Sequence, residues 1–193
     1  MSTAQGRVGV ISNPASGHNR DQFDAIRAQL ESCPGLTHVV TQSPAEIDTA
    51  LAQLAAADVE VLAINGGDGT NSAILGRVLE TRPFAQTPLV ALLPAGTANM
   101  NAGDVGIRGS LTKAVTRFCK WCASDRKAPV PSQQRSLLKV ECPGEEPRYT
   151  MFIGAGAVIH GTEYAHENIH SRAVRDDFSV ALGTARTVWG VLR

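Results

Sequence analysis

The sequence has no apolar run long enough to cross a membrane, and no apolar core near its N-terminus of the kind that forms a signal peptide. Its 193 residues also carry no net charge, which argues against strong electrostatic attraction to nucleic acid or to an acidic membrane. Internal repeats and low-complexity tracts are absent as well. These absences predict a cytoplasmic protein that does not bind nucleic acid.

Cysteine is scarce, with four residues in the chain, Cys33, Cys119, Cys122 and Cys142. In a cytoplasmic protein we expect these thiols to be reduced. Cys119 and Cys122 form a C-x-x-C pair, but near the end of a predicted helix, whereas a redox pair needs a helix N-terminus and a zinc site needs two further ligands. We therefore expect both to be buried thiols.

What the sequence does contain is an alternation of strand-like and helix-like segments. Apolar runs rich in β-branched residues predict four strands, at residues 7–12, 37–41, 59–65 and 89–93. Amphipathic segments predict the helices between them, at residues 21–30, 45–57 and 71–82. This order is typical of an α/β fold, in which a doubly wound, mostly parallel sheet is covered by helices on both faces.

The pattern changes after a further predicted helix that runs from Gly109 to about Ala123. A polar, proline-containing link at residues 126–134 precedes a predicted β-hairpin, with strands at 136–141 and 149–153. Two more helices are predicted near residues 158–169 and 177–192. We therefore place a nucleotide-binding α/β domain at residues 1–125 and part of a second, β-rich domain at residues 126–193.

Three polar stretches follow the first, third and fourth predicted strands, namely Asn13–Gly17, Gly66–Thr70 and Pro94–Asn99. Ligands of parallel sheets bind beyond the carboxyl ends of the strands, so we expect these stretches to share one edge. In the second stretch, glycines let the backbone approach an anion, and the N–H groups of the helix that follows point at it. The sequence therefore predicts a phosphate site.

In their order and spacing, the motifs Asn13-Pro14-Ala15-Ser16-Gly17, Gly66-Gly67-Asp68-Gly69-Thr70 and Pro94-Ala95-Gly96-Thr97-Ala98-Asn99 resemble the catalytic domain of the diacylglycerol kinase family. That family includes sphingosine kinases and bacterial lipid kinases, and it is related to NAD kinases and phosphofructokinases. The resemblance covers roughly residues 7 to 110. It implies that the γ-phosphate of ATP is transferred to a lipid hydroxyl, diacylglycerol-like or sphingoid, with Mg²⁺ as cofactor.

The resemblance also implies which residues bind the nucleotide. They are Asn13, Pro14, Ala15, Ser16, Gly17, Thr41, Gly66, Gly67, Asp68, Gly69, Thr70, Asn71, Ser72, Gly96, Thr97 and Asn99. Among them, Asp68 is expected near the phosphates and Mg²⁺, because a carboxylate helps to hold this hard cation. The catalytic base is not identified.

The chain departs from the family pattern at three points. Many relatives have Glu where this chain has Ala73, and Asp where it has Met100. In the family an acidic residue of the second domain is the proposed base, and the chain reaches Arg193 before any such motif. We expect either a truncated lipid kinase or a product without the base. A different acceptor, such as NAD or a sugar, and a nucleotide-binding module without turnover are the alternatives.

Two features near the end of the sequence have competing interpretations. His166–His170 matches the H-E-x-x-H pattern of zinc proteases but lacks a third ligand, so we expect a solvated or capping role. An apolar stripe follows, formed by Phe178, Leu182, Ala185, Trp189 and Leu192. Such a stripe packs on a core or, if exposed, contacts a membrane peripherally or a second copy of the chain.

Overall fold

A sheet of four parallel strands, in the order β2-β1-β3-β4, forms the centre of the α/β part of the chain. The computed structural model describes residues 7–124 and 131–154. The strands are β1 (Val8–Ser12), β2 (Leu36–Val40), β3 (Val61–Gly66) and β4 (Leu89–Pro94). β1 and β3 are buried along their whole length, which is why their sequences are continuously apolar until the last residue or two. The predicted α/β class and parallel sheet are confirmed.

In the described part of the chain, five α-helices connect or follow these strands. They are α1 (Phe23–Glu31), α2 (Ile47–Ala56), α3 (Asp68–Thr81), α4 (Met100–Asp104) and α5 (Leu111–Ala123), with a 3₁₀ turn at Pro44–Glu46 before α2. α4 was not predicted, because five residues are too few to show an apolar period. Within the described residues, no helix combines the length and the apolar character needed to cross a bilayer.

Apolar side chains form one core on each face of the sheet. On the first face Val10 packs with Ile26 of α1 and Val115 of α5. On the second face Ile11 packs with residues of α2 and α3, including Ile74. Successive residues of a strand point to opposite faces, so a single buried strand supplies both cores. Helices therefore cover both faces, as the alternation of segments predicts.

A short antiparallel hairpin lies against α3. Its strands are β5 (Leu138–Val140) and β6 (Arg148–Thr150), shorter than predicted. The ring of Tyr149 covers Gly76 so closely that a Cβ at Gly76 would lie 2.9 Å from Tyr149 Cδ2. A glycine at this point of α3 is thus what allows the hairpin to dock.

The chain divides into two compact units, Met1–Met151 and Phe152–Arg193, and the hairpin belongs to the first. The domain boundary expected at residue 126 falls among residues 125–130, which lie outside the described residues, and it stays a prediction. The helices predicted at 158–169 and 177–192 and the His166–His170 motif also lie outside the described residues.

The expectation that all four cysteines are reduced is wrong for two of them, because Cys33 and Cys119 form a disulfide. Their Cα atoms are 5.8 Å apart, within the usual range for such a bond. α1 and α5 lie side by side on one face of the sheet, which brings together residues 86 positions apart in the sequence. Cys122 is buried, as expected, and Cys142 is exposed.

Candidate functional site

The three predicted loops meet at the carboxyl edge of the sheet. Because the strands are parallel and in register, Ser12 lies beside Asn65, and Gly66 lies beside Pro94. Backbone hydrogen bonds tie the loops together: Asn13 N–H donates to the Asn65 carbonyl at 2.9 Å, and Ala95 N–H donates to the Gly66 carbonyl at 3.2 Å. The loops form one continuous surface rather than three separate turns.

The glycine motif after β3 is more compact than the sequence predicts. Gly66 ends β3, Gly67 alone links it to α3, and the helix begins at Asp68 rather than at Asn71. Thr70 folds back onto the strand end, so that a Cβ at Gly66 would lie 2.5 Å from Thr70 Cγ2. Most of the motif is therefore the first turn of a helix, and the open loop expected here is reduced to one residue.

The N-terminus of α3 is open to a ligand. The N–H groups of Asp68, Gly69 and Thr70 have no acceptor within the helix, as in any first turn. No side chain of the described residues accepts a hydrogen bond from these three N–H groups. Gly69 is exposed, and a Cβ placed there would meet no atom within 4 Å. A helix of fourteen residues also carries a partial positive charge at this end, so the first turn is suited to bind an anion.

The first loop supports this helix end from the side. Asn13 Nδ2 donates to Thr70 Oγ1 at 2.9 Å, while Asn13 Oδ1 accepts from Ala15 N–H at 2.9 Å. Ser16 Oγ accepts from Gly67 N–H at 3.3 Å, so this N–H is engaged within the protein. Arg20, which the sequence did not single out, donates from Nε to the Ala15 carbonyl and brings a cation beside the loop.

The third loop is closed on itself by Asn99. Its amide accepts from Gly96 N–H and donates to the Gly96 carbonyl, both at 2.7 Å. Asn99 adopts the left-handed conformation with φ of 50°, which asparagine tolerates better than most residues. Thr97 lies against the first loop, where a Cβ at Gly17 would come within 2.8 Å of Thr97 Oγ1.

Asp68 has a structural role that the sequence did not predict. Its two carboxylate oxygens accept hydrogen bonds from Met100 N–H at 3.1 Å and from Asn101 N–H at 2.9 Å. The first turn of α3 thereby caps the short helix α4. Each oxygen keeps a further lone pair, so a single contact to Mg²⁺ fits this carboxylate, whereas a cage of protein ligands does not. Among the described residues no three acidic, His or Cys side chains cluster as metal ligands do.

The remaining predicted residues are less accessible. Thr41 is buried, and both its N–H and its hydroxyl donate to the Ser12 carbonyl. Asn71 is 1% exposed, and its Oδ1 has no hydrogen-bond partner within the described part of the chain. Ser72 is half-buried in the first turns of α3. Direct contact with a nucleotide stays a prediction for these three residues.

A buried polar network behind the loops was missed from the sequence. Ser12, at the end of β1, accepts a hydrogen bond from Asn65 Nδ2 and lies 2.7 Å from His38 Nε2 of β2. Asn19 donates to the Asn13 carbonyl at 2.7 Å. Polar residues at the ends of the buried runs of β1 and β3 were a visible signal. No pattern in the sequence pointed to His38, because β2 is only half-buried and contains both polar and apolar residues.

A cavity of about 570 Å³ lies elsewhere, along β4. Apolar side chains of α5 and β4 line it, together with residues 131–135 and Met151, and the guanidinium-bearing residues Arg117 and Arg135 also contribute. None of the residues predicted to bind a nucleotide lines this cavity. The loop edge and the cavity are thus separate features of the first unit.

Most of the described chain is similar to a known domain family. Residues 7–125 match the family model described as the diacylglycerol kinase catalytic domain. The chain is 34% identical over 107 residues to a protein named "Probable lipid kinase YegS-like" from Enterobacter sp. (strain 638), which covers 55% of this chain and 35% of that protein. The chain thus spans about a third of the length of this curated relative.

A crystal structure of a diacylglycerol kinase from Bacillus anthracis str. Sterne matches with a TM-score of 0.49 and 23% identity, over 59% of this chain and 39% of that one. The family assignment depends on the domain match, which extends over more than half of the chain and includes the three loops. The chain therefore belongs to the diacylglycerol kinase catalytic domain family.

Proposed function

We propose that this chain supplies the ATP-binding part of a lipid kinase, which transfers the γ-phosphate of ATP to the hydroxyl group of a diacylglycerol-like or sphingoid lipid. The observation that carries the proposal is the uncapped N-terminus of α3, which follows β3 after a single glycine and faces open space at Gly69. A polyphosphate is the ligand for which such an end is suited.

The surroundings of this helix end favour a triphosphate over a smaller anion. The first and third loops flank it, and Arg20 adds a positive charge next to the first loop. Asp68 would hold Mg²⁺ through one remaining lone pair, and the phosphates would supply the other ligands. Mg²⁺ supplies charge neutralisation when it is bound; the loops of this chain bind and orient the phosphates.

The transfer step and the lipid acceptor are supported by family membership and by the similarity to the Enterobacter protein named as a probable lipid kinase. The residues described here bear on the nucleotide and not on the acceptor. Diacylglycerol, a sphingoid base and NAD are therefore the three acceptors to compare.

A nucleotide-binding module without turnover is the second candidate. It is favoured by Asp68, whose two oxygens already accept hydrogen bonds from the backbone of α4. Ala73 and Met100 also stand where many relatives carry acidic residues. Such a module binds Mg²⁺-ATP without transferring phosphate.

Two measurements on the full chain test both candidates. Calorimetry gives the affinity for ATP with Mg²⁺, and radiolabelled ATP reports transfer to diacylglycerol, sphingosine and NAD. Transfer to a lipid supports the kinase and excludes the module, and transfer to NAD alone identifies NAD as the acceptor. Binding without transfer is the result expected of the module, and also of a chain that supplies only the ATP-binding part of a kinase. Absence of ATP binding overturns all three.

A charge variant checks the binding position. Gly69→Glu puts a carboxylate where Gly69 faces open space, and it suits a helix N-terminus, so the fold is retained. We expect ATP affinity to fall about tenfold or more relative to Gly69→Gln, which has the same size and no charge. Equal affinities in the two variants would place the phosphates elsewhere.

A further inference from the structure

A buried histidine is joined to the edge that carries the three loops. The side chain of His38 is 3% exposed, and its Nε2 lies 2.7 Å from Ser12 Oγ. Ser12 and Asn65 are fully buried, and Asn65 Nδ2 donates to the same Ser12 oxygen at 2.9 Å. The three side chains form a line across β2, β1 and β3, from His38 in the middle of β2 to Ser12 and Asn65 near the carboxyl ends of β1 and β3.

Ser12 and Asn65 lie where the first and second loops begin. Ser12 is the last residue before the first loop, and Asn65 directly precedes Gly66 and Gly67. The backbone carbonyl of Asn65 accepts the Asn13 N–H, so a shift of the Asn65 backbone moves both loops. We propose that His38 is a positioning residue for the nucleotide site, acting through the Ser12 hydroxyl on Asn65. This inference rests on the proposed function, since the site that it positions is the ATP site.

The direction of the hydrogen bond between Ser12 and His38 follows from which atoms carry protons. Ser12 has one hydroxyl proton, and its oxygen already accepts from Asn65. When His38 is neutral with its proton on Nδ1, Nε2 accepts the Ser12 proton, so that Ser12 donates one hydrogen bond to His38 and accepts one from Asn65. The Nδ1–H then faces Glu31 of α1, whose Oε1 is 3.8 Å away.

Protonation of His38 reverses this arrangement. The added proton comes from water and occupies Nε2, so Ser12 receives N–H donors from both His38 and Asn65 while its own proton has no acceptor. The conflict is relieved if the Asn65 amide turns and presents Oδ1, which has no hydrogen-bond partner among the described residues. Asn65 directly precedes Gly66 and Gly67, so we expect this change of its side chain to reach the backbone at the start of the second loop.

The electrostatic surroundings keep His38 neutral near pH 7. Burial lowers the pKa of His38 below its usual value, Glu31 partly opposes this, and Arg27 adds to the lowering. Glu31 and Arg27, both on α1, are the charged groups that act on it from the described elements packed against β2. Neutral His38, and with it the ordered line, is therefore the state at neutral pH.

The first test is the pH profile of Mg²⁺-ATP affinity in the wild type and in two variants, His38→Gln and His38→Leu. In the wild type we expect affinity to fall as His38 becomes protonated, beyond the change caused by ATP itself. His38→Gln keeps an acceptor but does not titrate, so it loses this extra fall and restores most of the affinity that His38→Leu loses, about tenfold at neutral pH. Identical pH profiles in the wild type and His38→Gln would overturn the proposal.

Ser12→Ala separates positioning from a merely structural role. In this variant His38 still titrates, as its ring proton signals in NMR show, but the link to Asn65 is missing. We expect ATP affinity no longer to follow the His38 titration. If affinity still follows it, His38 does not act through Ser12.

NMR of the free protein keeps the proposal testable if ATP does not bind at all. The side-chain amide of Asn65 and the backbone amides of Gly66 and Gly67 should shift with the same midpoint as His38 in the wild type, and not in Ser12→Ala. If the chemical shifts of these amides do not change with the midpoint of the His38 titration, the inference is refuted. Absence of ATP binding in every variant, with the NMR coupling present, refutes the proposed function instead.

Discussion

Gly67 and Gly96 touch backbone to backbone where the second and third loops meet. A Cβ built on Gly96 would lie 2.5 Å from Gly67 Cα, and one built on Gly67 would lie 2.9 Å from Gly96 Cα. Both are closer than real Cβ contacts, and backbone atoms cannot move aside as the end of a flexible side chain can. These glycines are thus needed for the loops to approach each other, in addition to any contact with a ligand.

Gly96→Ala should therefore destabilise the protein by about 1–3 kcal/mol through overpacking, and it should weaken ATP binding because the loops separate. Gly103→Ala is the matched control, since a Cβ at that helical glycine meets nothing within 4 Å. The control should be neutral or stabilising by about 0.4–1 kcal/mol. Urea denaturation measures the free energy of unfolding of both variants. Equal stability of the two variants would mean that the loops do not meet as described.

The fold could be predicted from the sequence because its signals are local. A buried strand shows as a short apolar run, and the glycine motifs mark the turns that follow. The capping role of Asp68 and the disulfide of Cys33 could not be predicted from the sequence. Each depends on a residue far along the chain, Asn101 in one case and Cys119 in the other. Packing of helices against the sheet, rather than any local pattern, brings these pairs together.

The hydroxyl of Thr70 should matter more than its methyl group. It accepts the hydrogen bond from Asn13 that holds the first loop against α3. Thr70→Val keeps the shape but leaves the Asn13 amide without its acceptor, so we expect a loss of about 1–3 kcal/mol in stability and weaker ATP binding. Thr70→Ser keeps the hydroxyl and should retain most of both. Denaturation and calorimetry on the two variants test this; similar losses in both would assign the effect to the methyl group.

Asp68→Ala should cost about 1 kcal/mol of stability even without nucleotide, because α4 loses its cap. Asp68→Asn keeps one acceptor oxygen and should recover part of this loss. If Asp68 also contacts Mg²⁺, both variants should weaken ATP binding more in the presence of Mg²⁺ than in its absence. Calorimetry with and without Mg²⁺ decides this, and an equal loss in the two conditions would leave Asp68 with the capping role alone.

The disulfide should make stability depend on reducing agent. A cross-link between residues 86 apart restricts the unfolded chain, so reduction should lower the free energy of unfolding by about 2–4 kcal/mol. The double variant Cys33→Ala/Cys119→Ala should unfold like the reduced wild type and show no response to reductant. Thiol titration of the denatured protein checks the pairing directly, because two thiols should react before reduction and all four after it. Four reactive thiols without reductant would contradict the bond.

The burial of His38 gives stability a defined pH dependence. Burial lowers the pKa of His38 in the folded state below the ordinary value of 6.5, so between these two values the unfolded chain binds more protons. Stability is complete above about pH 6.5 and falls as the pH drops towards the folded-state pKa. His38→Gln should remove this slope, measured by urea denaturation at a series of pH values. Glu31→Gln should steepen it, because Glu31 raises the pKa of His38. Slopes unchanged in both variants would show that His38 titrates in the folded protein as it does in the unfolded chain.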